Sequence, residues 1–544
     1  MQTAARIICT TLLALFFLTD GRAQTTMVYL EHSETLSFEE ERIPDAQILR
    51  GNVRFRHEDM LMFCDSAYFY ERTNSVTAFS NVRFEQGDTL HGYGDILYYD
   101  GNTKLARLCR NVRLIHRTTV LTTDSLNYDR QIEKAYYFTG GIIRDSLNSL
   151  ASVWGEYNPP TNQAVFRRQV HLDNPSFILD SETLNYNTQT HIAQLTSPTT
   201  IVYEDETTIR SSNGTYNTST DESLLYDRST IVHKDGQSMT GDTIHYDKQQ
   251  GFGQLTGHLI LCDSTQSVTL YGNYGEMHEN ERHCFVTDSA LAEEWSGEDH
   301  SWLHADTLFY DEHPCTGEEC TDTTYRTIRA RHYVRAWSKE YQMVCDSMTY
   351  STIDSTLVLY GTPVFWNGDN QFSADSITVY FKDNRMDHAS GKGHILGSQL
   401  IAEGRYNQII GQEMTAYVRE GDVRQVDVSG EAQTAFYPRD DKGGMTGLNK
   451  TGSNMVQIYL ENREIHHILF TTATTGTLFP LDQIAPDDTF LPGFFRADDE
   501  RPVSVADLFR HPERTTTPVS AATNRSTPEP ETESDSKITT KKLK

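Results

Sequence analysis

Short runs of alternating apolar and polar residues recur along most of the chain. Val53 to Phe55, Val82 to Phe84 and Val112 to Leu114 are three of them. Because successive side chains of a β-strand point to opposite faces, a period of two places the apolar members on one buried face. Tyr, Thr, Val, Ile and Phe dominate the runs, and Asn, Asp, Gly and Ser separate them, which predicts strands joined by turns. Only Ser504–Phe509 is compatible with a short helix.

A phrase built on Asp-Ser or Gly-Asp, followed closely by Tyr, repeats along the chain with a period of about thirty residues. The repeated tyrosines are Tyr68, Tyr98, Tyr128, Tyr157, Tyr186, Tyr216, Tyr246, Tyr274, Tyr310, Tyr350 and Tyr380. The spacing widens between Tyr274 and Tyr350, where we expect loop insertions. We interpret the Asp and Ser residues as turn caps and the tyrosines as a stacked ladder between neighbouring units.

A second marker runs in step with the first, with a small or polar residue before a β-branched or apolar one. Its copies are Asn52-Val53, Asn81-Val82, Asn111-Val112, Gly141-Ile142, Gln169-Val170, Thr230-Ile231 and His258-Leu259. Two markers in a fixed phase predict an all-β, elongated repeat protein, a jellyroll or solenoid whose short strands gain a common core by stacking.

The N-terminus predicts export. Arg6 precedes an apolar run from Ile7 to Leu18 that is too short to span a bilayer, and Gly21 to Ala23 fits a cleavage site. The sequence therefore predicts a signal peptide and a periplasmic location, with association with the outer membrane as a further expectation.

The changes in pattern along the chain suggest seven segments. They are a signal peptide (1–23), an N-terminal linker (24–44), β-repeat domains (45–280), repeats with loop insertions (281–345), further β repeats (346–420), a C-terminal β-rich extension (421–512) and a disordered tail (513–544).

Composition excludes one class of partner. Asp and Glu number 76 against 47 Lys and Arg, a net charge of −29, so the surface repels nucleic acid, whose binding requires clustered cations. A lipid headgroup phosphate would be repelled as well. Such a ligand would have to be held mainly by its acyl chains.

Eight cysteines are present, and Cys9 lies in the signal peptide. Cys315 and Cys320 are the nearest pair and lie in a polar segment, which predicts a loop-closing disulfide in an oxidising compartment. A single C-x4-C lacks the second pair of ligands typical of zinc sites, so we predict no metal and no cofactor.

With its thirty-residue β repeat behind a signal peptide, the chain resembles the OstA/LptA family of lipopolysaccharide-transport proteins over residues 45 to 420. The stretches Gly447 to Thr451, Gly476 to Pro480 and Phe490 to Phe494 look like the C-terminal region of long OstA-like proteins. The resemblance implies an open β-jellyroll with an apolar cleft between two facing sheets. It also implies transport of lipopolysaccharide between the membranes by end-to-end stacking, together with transport proteins at the inner and outer membranes.

We therefore predict a periplasmic conduit that binds lipopolysaccharide acyl chains and is not an enzyme. The candidate groove residues are the inward members of the alternating runs, although ordinary core packing is the commoner role for any one of them. They are Val53, Phe55, Val82, Phe84, Val112, Leu114, Val170, Leu172, Leu259 and Leu261.

Two other classes stay open. A parallel β-helix enzyme acting on polysaccharide also carries Asp, Tyr and His on one face, but its coils are usually shorter than thirty residues. Catalytic motifs such as G-x-S-x-G and H-E-x-x-H do not occur in the sequence. A structural periplasmic or surface scaffold is the third class.

Overall fold

The computed structural model describes residues 26–511 except 40, 42, 316–323, 383–384, 420–421, 441 and 462–463. The chain folds as two compact units, Met1–Val286 and Thr287–Lys544. The predicted signal peptide and tail lie outside the described residues. The predicted all-β class is confirmed, because the regular elements of the described part are strands and three short 3-10 helices. In that part, no helix is long and apolar enough to cross a membrane.

The first unit is built from strands that begin at residue 29. They are β1 (Tyr29–His32), β2 (Thr35–Phe38), β3 (Gln47–His57), β4 (Met60–Tyr70), β5 (Ser75–Gln86), β6 (Leu90–Asp100), β7 (Leu105–His116), β8 (Thr119–Asp129), β9 (Lys134–Tyr137), β10 (Gly141–Arg144), β11 (Ser149–Ser152), β12 (Trp154–Asn158), β13 (Gln163–Asn174), β14 (Phe177–Asn187), β15 (Ile192–Leu195), β16 (Thr199–Tyr203), β17 (Thr208–Ser211), β18 (Asn213–Asn217), β19 (Glu222–Val232), β20 (Gln237–Asp247), β21 (Phe252–Asp263), β22 (Val268–His278) and β23 (His283–Thr287), which ends at the boundary.

The second unit continues the same scheme and ends in short helices. Its elements are β24 (Leu291–Glu294), β25 (Ser301–His304), β26 (Thr307–Pro314), β27 (Thr324–Trp337), β28 (Gln342–Ser351), β29 (Thr356–Tyr360), β30 (Val364–Asn367), β31 (Asn370–Ser373), β32 (Ser376–Lys382), β33 (Arg385–Ala402), β34 (Arg405–Arg419), β35 (Asp422–Phe436), β36 (Gly447–Glu461), β37 (Glu464–Thr471), β38 (Thr475–Pro480) and the 3-10 helices Pro486–Asp488, Asp498–Glu500 and Ala506–Phe509.

Six long strands of the first unit, β3, β5, β7, β13, β19 and β21, bend at a corner made by two consecutive residues with positive φ. In β5 these are Ser80 (φ 63°) and Asn81 (φ 52°), and the pairing with both neighbouring strands shifts register there. Such a bulge bends a strand and divides it into two arms. Arm A consists of Ser75–Phe79 and the strand halves that pair with it on either side, strand after strand. Arm B consists of Val82–Gln86 and the strand halves that pair with it in the same way.

The corners explain the second sequence marker. They fall at Gly51/Asn52, Ser80/Asn81, Arg110/Asn111, Arg168/Gln169, Asp227/Arg228 and Gly257/His258. Asn and Gly adopt positive φ more readily than other residues, so the corner selects them. Two copies of the sequence marker do not coincide with a corner. At Thr230-Ile231 the corner lies two residues earlier, before the buried Ser229, and at Gly141-Ile142 the positive-φ residue is Gly140.

Aspartates of the repeated phrase brace these corners. Asp65 accepts a hydrogen bond from Asn81 Nδ2 at 2.7 Å, and Asp95 accepts one from Asn111 Nδ2 at 2.7 Å. Asp242 and His258 Nδ1 are 2.6 Å apart in the same arrangement. The predicted structural role of the Asp residues fits these contacts. Their partner, however, is a side chain on the neighbouring strand rather than the backbone of the local turn.

The second unit uses the same corner, with His394 (φ 42°) separating arm A (Arg385–Lys392) from arm B (Ile395–Ala402) in β33. A Cβ at Gly391 on arm A would lie 2.7 Å from Phe372 and 2.9 Å from Ile395 on arm B. The inner faces of the two arms therefore meet across this unit.

A C-terminal strap, residues 485–511, covers the outer face of arm B in the second unit. Ala497 packs against Val344, Val364 and Trp366, and Leu491 packs against Ala435. The strap gives a physical account of Phe490 to Phe494, which sequence alone left unexplained. Because the strap covers this face, arm B here is apolar on both sides, whereas arm B of the first unit carries exposed arginines such as Arg54 and Arg113 on its outer face.

Candidate functional site

The predicted groove residues all lie on arm B of the first unit. Nine of the ten are no more than 2% exposed, and Leu261 is half-buried. Their side chains point inward because the corner fixes the parity of the residues that follow it. The strands that pair with them contribute further apolar side chains at the same level.

Cross-strand pairing joins these residues into a continuous inner row, which we call the arm B row. It runs through Phe55, Met62, Phe84, Gly92, Leu114, Leu121, Ile143, Leu150, Leu172, Leu179, Ile201, Ile209, Ile231, Met239, Leu261 and Leu270, each paired with the next. Gly92 leaves space in the row for the ring of Phe84, because a Cβ at this position would lie 2.1 Å from that ring.

The facing row on arm A alternates large and small side chains. This Tyr–Ala row contains Phe69, Val76, Tyr99, Ala106, Tyr128, Ala135, Tyr157, Ala164, Tyr186, Ala193, Tyr216, Ser223, Tyr246 and Gly253 in register. One aromatic ring every second strand leaves about 9.6 Å between successive rings, with a small residue beneath each interval.

The structure corrects four of the repeated tyrosines, of which Tyr274 and Tyr380 are half-buried on outer faces. Tyr98 is 47% exposed on the outer face, and its neighbour Tyr99 is the buried member of the row. Likewise Phe69, not Tyr68, takes the inward position at the start of the row. From Tyr128 to Tyr246 the predicted ladder positions are the buried ones, although small side chains separate their rings.

Side chains of the two arms meet directly across the interior. The rings of Phe84 and Tyr128 stack with centroids 5.7 Å apart, and those of Phe55 and Phe69 are 5.5 Å apart. The cleft expected from the sequence is therefore filled at these levels by the protein's own aromatic residues. An acyl chain could lie on the arm B row there only if the arms separate.

The mouth of the first unit is the edge opposite the corners, where tyrosine hydroxyls of arm A meet polar groups at the ends of arm B. Tyr128 Oη donates to Gln86 Oε1 at 3.1 Å, and Tyr157 Oη lies 2.9 Å from His116 Nδ1. Tyr99 Oη contacts His57 Nδ1 in the same way. These three contacts act as latches between the arms.

The buried guanidinium of Arg130 reinforces the latch between Tyr99 and His57. Arg130 Nη1 donates to Tyr99 Oη at 2.9 Å, and Arg130 Nη2 donates to Asp59 Oδ1 at 2.6 Å. The guanidinium is only 3% exposed, while Asp59 is largely open to solvent. The latch therefore joins the interior to a charged pair at the surface.

Burial shifts the pKa of the His and Tyr latch groups in the direction that favours the neutral form of each. It lowers the pKa of His57 and of His116, and it raises the pKa of Tyr99 and of Tyr157. Nearby Arg130 opposes part of the rise for Tyr99. A neutral imidazole has one unprotonated nitrogen, which can accept a hydrogen bond from a phenol. The closed mouth therefore favours uncharged histidines.

Cys315 is disulfide-bonded in the structure. Cys320 lies outside the described residues, so the predicted pairing of the two stays a prediction. Cys64 is a buried free thiol, and burial raises its pKa to about 12. A thiol with so high a pKa is a poor nucleophile near neutral pH.

Comparison with protein families identifies the segment that carries most of these features. Residues 25–182 match the family model described as OstA-like protein. This segment is OstA-like. The predicted resemblance is thereby confirmed over less than a third of the chain. Among curated proteins, none matches the chain.

The OstA-like segment ends within β14, but the pattern that distinguishes it does not end there. The Tyr–Ala row continues in register through Tyr186 and Tyr216 to Tyr246, and the arm B row continues to Leu270. The repeat therefore extends through the first unit beyond the segment that matches the family.

Sequence reasoning found the arm B row but missed the latches and the strap. The latch positions His57, Gln86 and His116 are not all of one residue type, so no residue motif marks them. Each one nevertheless ends an alternating run, and the three are spaced about thirty residues apart. The strap had a signal, since Met343, Val344 and Cys345 break the alternation and are all buried. Consecutive buried residues indicate a strand covered on both faces.

Proposed function

We propose that this protein is an exported periplasmic carrier or bridge for lipopolysaccharide, and that it holds the acyl chains on the arm B row. The observation that carries the proposal is the unbroken apolar row of the first unit, ten of whose sixteen residues lie in the OstA-like segment. Binding of this kind needs no covalent step, no metal and no cofactor.

The closed interior sets a condition on this function, because lipid and side chains compete for the same space. Burying ten methylene groups contributes about 8 kcal/mol. Breaking the three latches at Tyr99, Tyr128 and Tyr157 costs about 1.5–4.5 kcal/mol at roughly 0.5–1.5 kcal/mol for each hydrogen bond. An acyl chain therefore carries enough free energy to hold the arms apart, and the arms close again when the chain leaves.

The acidic surface favours the same mode of binding. With a net charge of −29, the protein offers little attraction for headgroup phosphates, so the acyl chains supply the affinity. We propose that lipopolysaccharide-transport proteins at the inner and outer membranes are its partners, and that copies of the chain associate end to end or with the outer membrane.

A structural scaffold of the periplasm is the second candidate, and the contact between Phe84 and Tyr128 favours it. A scaffold needs a permanently packed interior, and the stacked rings 5.7 Å apart provide one at that level. The two candidates differ in whether the arms separate in the working protein.

Photo-crosslinking in living cells that make lipopolysaccharide tests the choice. A photoreactive phenylalanine analogue replaces Phe84 or Leu114 in the arm B row, and Arg113 on the outer face of the same strand is the matched control. We expect labelled lipopolysaccharide on the first two positions and none on the control. Labelling of Arg113 alone, or of no position, in cells where all three variants accumulate would reject the carrier and leave the scaffold.

A further inference from the structure

Six adjacent strands of the second unit carry a row of aromatic and amide side chains on the outer face of arm A. This outer aromatic row consists of Tyr380, His388, Tyr417, Gln425, Tyr459 and His467, each paired in register with the next. Its members alternate along their strands with inward residues such as Val379 and Ala389, so the row faces away from the interior.

The rings of the row are turned toward one another along the row. Tyr380 and His388 stack with centroids 4.2 Å apart and an interplanar angle of 11°, and Tyr459 and His467 stack at 4.3 Å and 15°. His388 lies 6.2 Å from Tyr417 at an angle of 31°. Each end of the row is therefore a short stack of rings, with Tyr417 and Tyr459 as its innermost members.

Gln425 separates the two stacks and leaves a slot between Tyr417 and Tyr459. The two tyrosines are two strand spacings apart, about 9.6 Å. A flat aromatic ring inserted between them would need only about 7–8 Å at ordinary carbon contact distances. This backbone spacing is wider than a flat ring requires and leaves room for a thicker, puckered ring.

The floor of the slot presents hydrogen-bonding groups fixed in place. Gln425 Nε2 donates to Asp427 Oδ1 at 2.7 Å, and Gln457 Nε2 donates to the same oxygen at 3.2 Å. The carboxylate and the amide oxygen of Gln425 are acceptors suited to hydroxyl donors. Asp427 and the acidic chain as a whole repel anions, so the charge of the slot favours an uncharged ligand that donates hydrogen bonds.

We propose that the slot between Tyr417 and Tyr459 binds a neutral pyranose sugar. The two apolar faces of the sugar ring stack on the tyrosines, and its hydroxyl groups donate to Gln425 and Asp427. Tyr417 is 44% exposed, so the ligand reaches the slot without any movement of the fold. This site is independent of the lipid-binding proposal, because it lies in the second unit and uses an outer face.

Calorimetry and saturation-transfer NMR on the full chain test the proposal, with glucose, N-acetylglucosamine and the β-1,4-linked hexamer of each as probes. We expect at least one of the four to bind, and Tyr417→Ala and Tyr459→Ala each to weaken it by about tenfold or more. Tyr417→Phe keeps the ring and should retain binding. Tyr98→Ala removes an equally exposed tyrosine from the first unit and is the matched control.

Tighter binding of a hexamer than of its monomer would identify a glycan as the source of the sugar, and equal binding would identify a free sugar. The proposal is overturned if none of the four probes binds, or if glucose 6-phosphate binds more tightly than glucose. It is also overturned if Tyr417→Ala, with an unfolding midpoint equal to that of the wild type, binds as well as the wild type.

Discussion

The phenol of Tyr157 and the imidazole of His116 meet across the mouth of the first unit, with Tyr157 Oη and His116 Nδ1 2.9 Å apart. Tyr157 belongs to arm A and His116 ends arm B, so this single contact ties the two arms together. His116 is 7% exposed, and burial lowers its pKa. The closed state of the mouth is therefore linked to the protonation state of a histidine.

The stability of the first unit should fall as the pH falls below the ordinary histidine pKa of about 6.5. His57 and His116 have lowered pKa values in the folded chain, so the unfolded chain binds protons first. Their contribution is fully present above that pH and is lost as the pH approaches the folded pKa values. Urea unfolding followed between about pH 7 and 5 measures the slope.

The variant His116→Gln should show a shallower dependence on pH over this interval, since glutamine does not titrate. His32→Gln changes an exposed histidine on β1 and is the control. Equal slopes for wild type and His116→Gln would contradict the assignment of the titration to the latch.

Asn111 tests the corner. It holds φ at 48° and donates to Asp95 at 2.7 Å, so Asn111→Ala loses the hydrogen bond and places a Cβ-bearing residue without a polar side chain in the left-handed region. We expect a loss of about 1–2 kcal/mol in the free energy of unfolding, measured by urea denaturation. Asn111→Gly loses the same bond but tolerates the backbone, so a Gly variant less stable than the Ala variant would count against a conformational role.

The corners also show why the strand pattern could be predicted from sequence. Asn52, Asn81 and Asn111 precede inward valines because a bend with positive φ selects asparagine and then resets the parity of the strand. Prediction from sequence failed where two adjacent residues satisfied this local rule equally well. Tyr98 and Tyr99 are adjacent and chemically alike, and only the register relative to the corner places Tyr99 inside.

The latches and the strap depend on contacts between distant residues, which no local pattern encodes. His57 meets Tyr99 forty-two positions away, and Gln371 meets Ala497 one hundred and twenty-six positions away. The break in alternation from Met343 to Cys345 signals that something covers arm B. It does not say which segment does so, because the strap itself has no strand or helix period.

Ala135 tests the alternation of large and small residues on arm A. It is fully buried and pairs with Tyr128 on one side and Tyr157 on the other. Ala135→Leu should lower the free energy of unfolding by about 1–3 kcal/mol, because the added carbons have no space between the two rings. Ala151→Leu, on the outer face of β11, is the matched control. Equal stability of the two variants would mean that the interval between the rings is empty.

Gln371 tests the strap. It is 1% exposed, its Nε2 donates to the carbonyl of Phe495 at 3.2 Å, and its Oε1 accepts from the N–H of Ala497 at 2.8 Å. Gln408 holds Thr489 and Leu491 by the same pair of bonds, six residues earlier in the strap. Two glutamines thus hold the strap as a neighbouring strand would, through its backbone.

The variant Gln371→Ala leaves the backbone groups of Phe495 and Ala497 without partners, which costs about 1–3 kcal/mol. Because the strap lies on the outer face, this cost should release the strap without unfolding arm B. We expect faster trypsin cleavage after Arg496 and Arg510, identified by mass spectrometry, with an unchanged strand signal in circular dichroism. Gln433→Ala, an exposed glutamine of β35, should be cleaved at the wild-type rate. If Gln371→Ala is cleaved no faster than this control, apolar packing of Leu491, Phe494 and Ala497 alone holds the strap in place.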